Sequence, residues 1–428
     1  MPEFLTLLSP DAARDRLISH LPSPKIEFES IDVSSSLGRI LAEDVIAPHP
    51  LPDFQRATVD GYAVHAQDTF GASDSLPAYL TLTGEVPMGD APTFKLQTGQ
   101  CAMIHTGGML PNGADAVVML EYAQKTSEVS HDFEGLPREI EVFRAVADGE
   151  NVIRIGEDVA QGQLVQARGS LMGPAEIGGL LALGITSIRV AKKIRVGLIS
   201  TGDEVIDPGQ TPRPGQVRDV NSYTLSALVE KTGGMANRYG VIADKLEALQ
   251  SVAAKALSEC DVVAITAGSS ASTRDMTADV IRSLGPPGVL VHGINTRPGK
   301  PTILGVCDGK AVIGLPGNPV SALVNGYLFV VPVIEQLLGV LPKPKATILA
   351  KLTVNLPSQA GREDWWPVRL VSPFATGRRV RGEGEYQAEP IFGKSNLIFT
   401  LATADGLLRI HPDATGLSAG EMVEVMLI

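Results

Sequence analysis

Across residues 194–339 short apolar runs alternate with segments whose apolar residues recur at helical spacing. The runs at 194–200 (IRVGLIS), 237–243 (NRYGVIA), 261–268 (DVVAITAG) and 288–294 (GVLVHGI) predict buried strands. Between them, residues 221–234 carry an Asn/Ser cap and a Gly-Gly stop. Residues 244–260 place Leu246, Leu249, Ala253, Ala256 and Leu257 on one helical face, and 274–285 predict a third helix. The segment 302–315 predicts a hairpin turning at Asp308-Gly309. Strands that are apolar on both faces and joined by helices imply an open, mostly parallel α/β sheet. The long apolar stretch at 320–340 is broken by Asn325, Pro332, Glu335 and Gln336, and reads as a buried helix.

The pattern differs on either side. Ser9-Pro10-Asp11 predicts a helix start, with the helix running to His20. Residues 51–149 carry short alternating runs between Gly, Pro and Asn, and predict a β-rich lobe. Another helix is expected at 174–183, stopping at Gly184. Beyond Pro342 the runs KATILAKLTV, WWPVRLV, NLIFTLA and EMVEVMLI predict strands of a small β-barrel or sandwich. The expected organisation is therefore 1–50 as a first, partly helical unit, 51–149 as the lobe and 150–192 as the return of the first unit. The α/β domain follows at 193–340, and the barrel at 341–428.

Composition narrows the function classes. The 36 basic and 48 acidic side chains give a net charge of −12, which argues against a general nucleic-acid or anionic-membrane binder. An anionic substrate then requires a locally basic pocket. Cys101, Cys260 and Cys307 are far apart and the seven histidines never pair at metal-ligand spacing, so no zinc site and a reducing, cytoplasmic setting are expected. The first residues lack the basic and apolar regions of a signal peptide.

In an open α/β sheet, ligands bind beyond the carboxyl ends of the strands. Thr201-Gly202-Asp203-Glu204 follows the first strand, Asp244 the second and Asp275 the third. Three carboxylates at one sheet edge suggest a hard divalent cation, Mg²⁺, although each alone is equally a helix cap. The loop 268–273, with Ser269 and Ser270, offers a phosphate cradle or a plain cap. Arg297-Pro298-Gly299-Lys300-Pro301 holds two cations at a fixed spacing on a stiff backbone, which favours anion binding. Pro316-Gly317-Asn318-Pro319-Val320-Ser321 presents polar groups at a helix start. Asp60 in VDGYAV and Thr106 in HTGG read as a turn and a hinge when taken alone.

The set VDGYAV, HTGGMLPNGADAVV, GENVIRIGEDVAQG, ISTGDEV, RPGKP and GLPGNPVSA, in this order, resembles the MoeA family of molybdopterin molybdenumtransferases, to which the gephyrin E domain is related. The likeness runs from about residue 9 to the end of the sequence. It implies a β-rich lobe, a MogA-like α/β domain, a C-terminal β-barrel and a homodimer in which one lobe faces the partner's α/β domain. The implied reaction cleaves adenylylated molybdopterin with Mg²⁺ and inserts molybdate, giving AMP and molybdenum cofactor. Glu204, Asp244 and Asp275 fall on the family's functional acids, as catalytic or metal-binding groups. Asp60 and Thr106 fall on positions important in the lobe. Arg297, Lys300 and Ser321 fall on oxyanion-holding positions, Pro316 and Pro319 beside the cleft, and Arg362 and Ser395 on possible molybdate contacts from the barrel.

Three features depart from the family pattern: AGSSASTRD in place of a glycine-richer loop, Arg297 where Lys is usual, and Asp364-Trp365-Trp366 in the barrel. They leave molybdate and tungstate both open. Two other readings compete. A molybdopterin adenylyltransferase, acting one step upstream, needs only the α/β domain. A non-catalytic scaffold binding pterin or peptide would not need the acids and cations. Upstream adenylyltransferase and downstream apo-molybdoenzymes are the partners that the resemblance implies.

Overall fold

The computed structural model describes residues 7–126, 139–267, 271–372 and 386–428, with the backbone alone for 271–275. Helix α1 (Pro10–Ser19) starts where Ser9 Oγ accepts the Ala12 N–H at 3.3 Å, and His20 is its C-cap. Strand β1 (Phe28–Asp32) follows, and the chain then leaves to build the lobe. The lobe strands are β2 (Gly61–Val64), β3 (Ala78–Glu85), β4 (Gln100–Ile104), β5 (Ala116–Met119), β6 (Ala123–Lys125) and β7 (Glu139–Val142), in the sheet order β5-β2-β4-β3-β7-β6. Alternation along β2 sends Tyr62 and Val64 into one apolar cluster and Ala63 into another, so this sheet is covered on both faces. The chain returns through α2 (Pro174–Ala182) to β8 (Ser187–Ala191), which pairs antiparallel with β1 and closes the base of the lobe.

The α/β domain comprises β9 (Arg195–Thr201), α3 (Asn221–Lys231), β10 (Met235–Ile242), α4 (Leu246–Glu259), β11 (Val262–Ala267), α5 (Ala271–Ser283), β12 (Pro287–His292), the short β13 (Thr296–Arg297), β14 (Ile303–Cys307) and β15 (Lys310–Pro316). Its sheet has the order β10-β9-β11-β15-β14-β12, with the first four strands parallel and β14 running against them. Every residue of β11 is buried because helices cover both faces. The β14–β15 hairpin turns at Asp308 (φ 48°) and Gly309 (φ 79°), as expected for a two-residue left-handed turn.

Two details differ from the pattern reading. Leu246 sits in the first turn of α4 and is exposed, while Leu249, Ala253, Ala256 and Leu257 are buried as expected. The start of α3 is held not by Asn221 or Ser222 but by Asp219, whose Oδ1 accepts the Ser222 N–H at 3.1 Å.

Helix α6 runs over Pro319–Leu338 and widens into a π turn at Gly326–Val330. The widening comes just before Pro332, which has no N–H to donate back to the carbonyl four residues earlier. Among the described residues it is the one helix long and apolar enough to cross a membrane, but 67% of its apolar window is buried inside the protein. It is a core helix, packed with α1 and α3 on one face of the sheet.

The C-terminal strands are β16 (Thr347–Leu352), β17 (Glu363–Val371), β18 (Tyr386–Pro390), β19 (Gly406–Ile410) and β20 (Met422–Leu427). They pair as β17-β18-β16-β20-β19 and close through β17–β19, so the unit is a five-stranded barrel rather than a sandwich. The run NLIFTLA is not a strand but a bend leading into α7 (Phe399–Ala402). Leu401 is buried against the α/β core while Leu397 and Phe399 face solvent, a one-sided burial that a short apolar run does not reveal.

Barrel and α/β domain are joined through the backbone. Strand β13 pairs parallel with β17, setting Thr296 beside Glu363 and Arg297 beside Asp364. The loop after β13 rests on α6, where buried Asn325 donates Nδ2 to Ser321 O at 2.7 Å and to Pro298 O at 3.2 Å. Gly299 lies directly over that amide at φ +109°, with no room for a Cβ. Gly299→Ala is therefore expected to cost about 2–4 kcal/mol, by steric collision together with backbone strain. Gly38→Ala, also at positive φ (+74°) but in open space, is expected to cost about 1 kcal/mol. Thermal unfolding of the two variants, side by side, checks the difference.

Candidate active site

The carboxyl ends of β9, β11 and β15 open toward the barrel, and two adjoining clefts lie there. The first, of 720 Å³, is formed by the loop after β13, the start of α6 and the barrel residues around Arg362 and Ser395. All four charged residues on its wall are basic: Arg297, Lys300, Arg362 and Lys394. In a chain of net charge −12, this is a local reversal of sign. Pro316, Asn318 and Ser321 line the same wall, so seven of the residues expected from sequence meet here: Arg297, Lys300, Pro316, Asn318, Ser321, Arg362 and Ser395.

Beneath these cations lies Asp364, with its side chain fully buried. Arg362 grips it with two bonds, Nε to Oδ1 at 2.7 Å and Nη2 to Oδ2 at 2.9 Å. Arg297 Nη1 approaches Oδ2 at 3.9 Å from the other side, and its guanidinium lies 5.3 Å from the centre of the Trp366 ring. The two-pronged bond fixes the plane of Arg362, leaving its remaining N–H groups aimed away from Asp364. Asn318 Nδ2 donates to Ser395 Oγ at 2.9 Å and Ser395 O accepts the Val320 N–H at 3.0 Å, so the α6 start is tied to the barrel rather than capped by Asn318.

The second cleft, of 540 Å³, shares Asn318 and Asn396 with the first. Glu204, Gly317 and Pro319 line it, together with Ser200, Thr201, Asp219, Asn221 and Thr266. Asp219 is buried and held by Ser200 Oγ at 2.9 Å and Ser222 Oγ at 2.6 Å. Asn221 donates to Gly317 O at 2.8 Å, which leaves its own buried carbonyl oxygen without a partner.

The expected trio of acids is not assembled as a cage. Asp244 Oδ1 is occupied by Thr201 Oγ1 at 2.5 Å, and its backbone N–H goes to Asp203 at 3.2 Å. Glu204 faces the second cleft, whereas Asp244 lines neither cleft. Asp275 is not at the helix opening, because α5 begins at Ala271. Its side chain lies outside the described residues, as do Ser269 and Ser270. Among the described residues no group of three or more His, Cys, Asp or Glu side chains is arranged to hold a metal ion.

Asp60 and Thr106 meet in the lobe and line neither cleft. Thr106 donates to Asp60 Oδ1 from its N–H at 2.7 Å and from its hydroxyl at 3.0 Å. The backbone bond foremost, then the hydroxyl, holds the Asp60 carboxyl below its ordinary range.

The sequence pattern assigns no site role to Lys394, Asp219, Asn221 or Asn325. Lys394 adjoins Ser395 in GKSN, and the RDVN run just before α3 was a legible signal for Asp219 and Asn221. In the sequence Asn325 reads only as a polar break in the apolar 320–340 stretch; its importance comes from the close approach of Gly299.

Comparison with known proteins covers the lobe, the α/β domain and the barrel in turn. Residues 8–184 match the MoeA N-terminal region (domain I and II), 197–336 a probable molybdopterin binding domain, and 349–428 the MoeA C-terminal region (domain IV). A putative molybdopterin biosynthesis protein of Methanocaldococcus jannaschii is 36% identical, over 97% of this chain and 95% of its own length. A molybdopterin molybdenumtransferase of Haemophilus influenzae is 30% identical, over 98% of each chain. The solved structure of a MoeA protein from Pyrococcus horikoshii superposes with a TM-score of 0.82 at 31% identity, over 99% of this chain and all (100%) of the other. With its lobe, α/β domain and barrel each matched in order, the chain belongs to the MoeA family of molybdenum cofactor biosynthesis, transferases whose curated members are named molybdopterin molybdenumtransferases.

Proposed function

We propose that the protein takes adenylylated molybdopterin and molybdate, inserts the metal at the dithiolene, and releases AMP and molybdenum cofactor. The observation that carries this reading is the all-basic wall of the first cleft, set against an acidic chain. A pyrophosphate ester and an oxyanion repel each other in water, and fixed guanidinium and ammonium groups offset that repulsion where the two must meet. Asp364 orients Arg362 and Arg297 before any ligand arrives, so little reorganisation is needed on binding. Two of the four cations, Arg362 and Lys394, come from the barrel, which favours metal insertion over the upstream adenylyl transfer that an α/β domain performs alone.

The second cleft, at the switch point of the sheet, is assigned to the pterin and its pyrophosphate link. The unpaired carbonyl of Asn221 and the carboxylate of Asp219 suit the N–H donors of such a ring. Mg²⁺ is proposed to arrive with the pyrophosphate rather than to sit in a protein cage. It commonly binds through one or two carboxylates plus substrate phosphates, and of the two carboxylates lining the cleft Glu204 is the one that the Ser200 and Ser222 hydroxyls do not hold. When bound there, it would supply charge to the phosphoryl oxygens. Asp60 and Thr106 line neither cleft of their own chain, which supports a homodimer in which one lobe serves the partner's clefts. Three free, buried cysteines suit a cytoplasmic enzyme, and an adenylyltransferase upstream with apo-molybdoenzymes downstream would complete its setting.

The decisive assay follows AMP release from adenylylated molybdopterin with Mg²⁺ and molybdate, tungstate or neither. Oxyanion-dependent release supports insertion, and the ratio of the two rates gives the metal preference. Pterin binding without release under any condition would instead make the protein a non-catalytic scaffold.

Side-chain replacement should separate charge from geometry in the first cleft. Arg297→Lys keeps the charge and is expected to stay within about fivefold of wild-type kcat/KM. Arg362→Lys cannot form both bonds to Asp364 and is expected to lose about 10- to 100-fold. Asp364→Asn is expected to raise the KM for molybdate about tenfold by freeing both guanidiniums, measured in the same assay. Equal effects of the two Arg→Lys changes would remove the fork from the account.

A further inference from the structure

The lobe contains a second polar constellation around Asp60 that the two clefts do not explain. Three strand ends assemble it. Asp60 immediately precedes β2, Glu85 closes β3, and His105 follows β4. Pairing of Gly61 with Ile104 and of Glu85 with Met103 brings these ends to one edge of the sheet. The turn after His105 is fixed from the backbone, with Gly108 N–H bonded to His105 O and Gly107 N–H to Ala57 O, both at 2.8 Å.

The imidazole of His105 stands between two carboxylates. Its Nε2 lies 3.1 Å from Glu85 Oε1, and its Nδ1 lies 3.9 Å from Asp60 Oδ1. A carboxylate only accepts, so Glu85 draws the ring proton onto Nε2 and turns the Nδ1 lone pair toward Asp60. Oδ1 of Asp60 already takes both donors of Thr106. Two acceptors 3.9 Å apart are too far for a direct hydrogen bond, but a single oxygen within ordinary bonding distance of each spans the gap.

We infer that Glu85 and His105 are positioning residues for Asp60: Glu85 fixes the ring so that Nδ1 and the Asp60 carboxylate form an acceptor pair for one water molecule, which donates one proton to each. The inference rests on the reading that Asp60 serves the insertion reaction. Asp60 is the group through which both residues act. The ring is 35% exposed and the Asp60 and Glu85 side chains 54% and 58%, so the arrangement is open to an incoming partner surface or ligand. The other charged or titratable groups of the lobe sheet edge do not approach the ring within salt-bridge distance among the described residues.

Two substitutions separate the ring nitrogens. Asn places its amide near the position of Nδ1, whereas Gln reaches the position of Nε2. With adenylylated molybdopterin and molybdate, His105→Gln is expected to lower kcat/KM for AMP release at least about tenfold, while His105→Asn recovers most of it. Glu85→Gln is expected to fall between them. A structural role alone would affect Asn and Gln alike, so equal activity of the two variants, or unchanged activity in His105→Gln, overturns the inference.

A second measurement does not depend on turnover. In ¹⁵N-histidine-labelled protein, the His105 ring is expected to show the Nε2–H tautomer in the wild type and a loss of that bias in Glu85→Gln. A ring with no bias in the wild type overturns the clamp whatever the activity. A biased ring in an enzyme that releases no AMP with any oxyanion refutes the functional reading and leaves the clamp standing.

Discussion

Asp364 is the point on which the first cleft depends. A carboxylate with no solvent contact is costly to bury unless opposite charge and hydrogen bonds surround it, and here Arg362 supplies both bonds while Arg297 adds a second positive charge. Because Arg297 belongs to β13 and Arg362 to the entrance of β17, the pair is held on both sides of the seam between α/β domain and barrel. The same backbone pairing that closes the seam therefore sets the spacing of the two guanidinium groups.

The seam has a second support one residue along. Glu363, also buried, accepts Trp365 Nε1 at 2.7 Å and Arg409 Nη2 at 2.6 Å, and Arg409 reaches on to Asp11 of α1 at 2.8 Å. Adjacent residues of a strand face opposite sides, so Glu363 anchors β17 toward the N-terminal helix while Asp364 serves the cleft. The β-strand period thus divides, at consecutive positions, the carboxylate that ties the barrel to α1 from the one beneath the cleft's arginines. The rigid α6 start, tied through Asn318 to Ser395, and the Asn325 contact under Gly299 hold the remaining walls.

The lobe stands apart in construction. Its sheet is covered on both faces by its own apolar clusters, and its polar groups gather at strand ends rather than around a cavity. Asp60 is held by Thr106 from the end of the neighbouring strand β4, with His105 beside it, a geometry that suits a surface presented to something else. In the α/β domain the polar groups converge inward instead, on clefts bounded by the barrel. Two different uses of a strand end thus occur in one chain, and they match the division of labour proposed for its reaction.

Much of this organisation could be read from the residues in order. Apolar runs with helical spacers specified the α/β sheet, because a strand buried on both faces leaves no polar alternation, and Asp308-Gly309 marked its hairpin through the left-handed backbone it requires. The stiff RPGKP segment pointed to an anion, and the ordered motifs pointed to the family. Short-range pattern could not decide between strand and helix for NLIFTLA, since that depended on the α/β core against which Leu401 packs. Nor could it show that Asp244 is occupied by Thr201 or that Asp364 lies beneath two arginines. Thr201 meets Asp244 only because two parallel strands of the sheet lie side by side, and Arg297 meets Asp364 only because β13 pairs with β17 across the seam, where the barrel closes on the sheet.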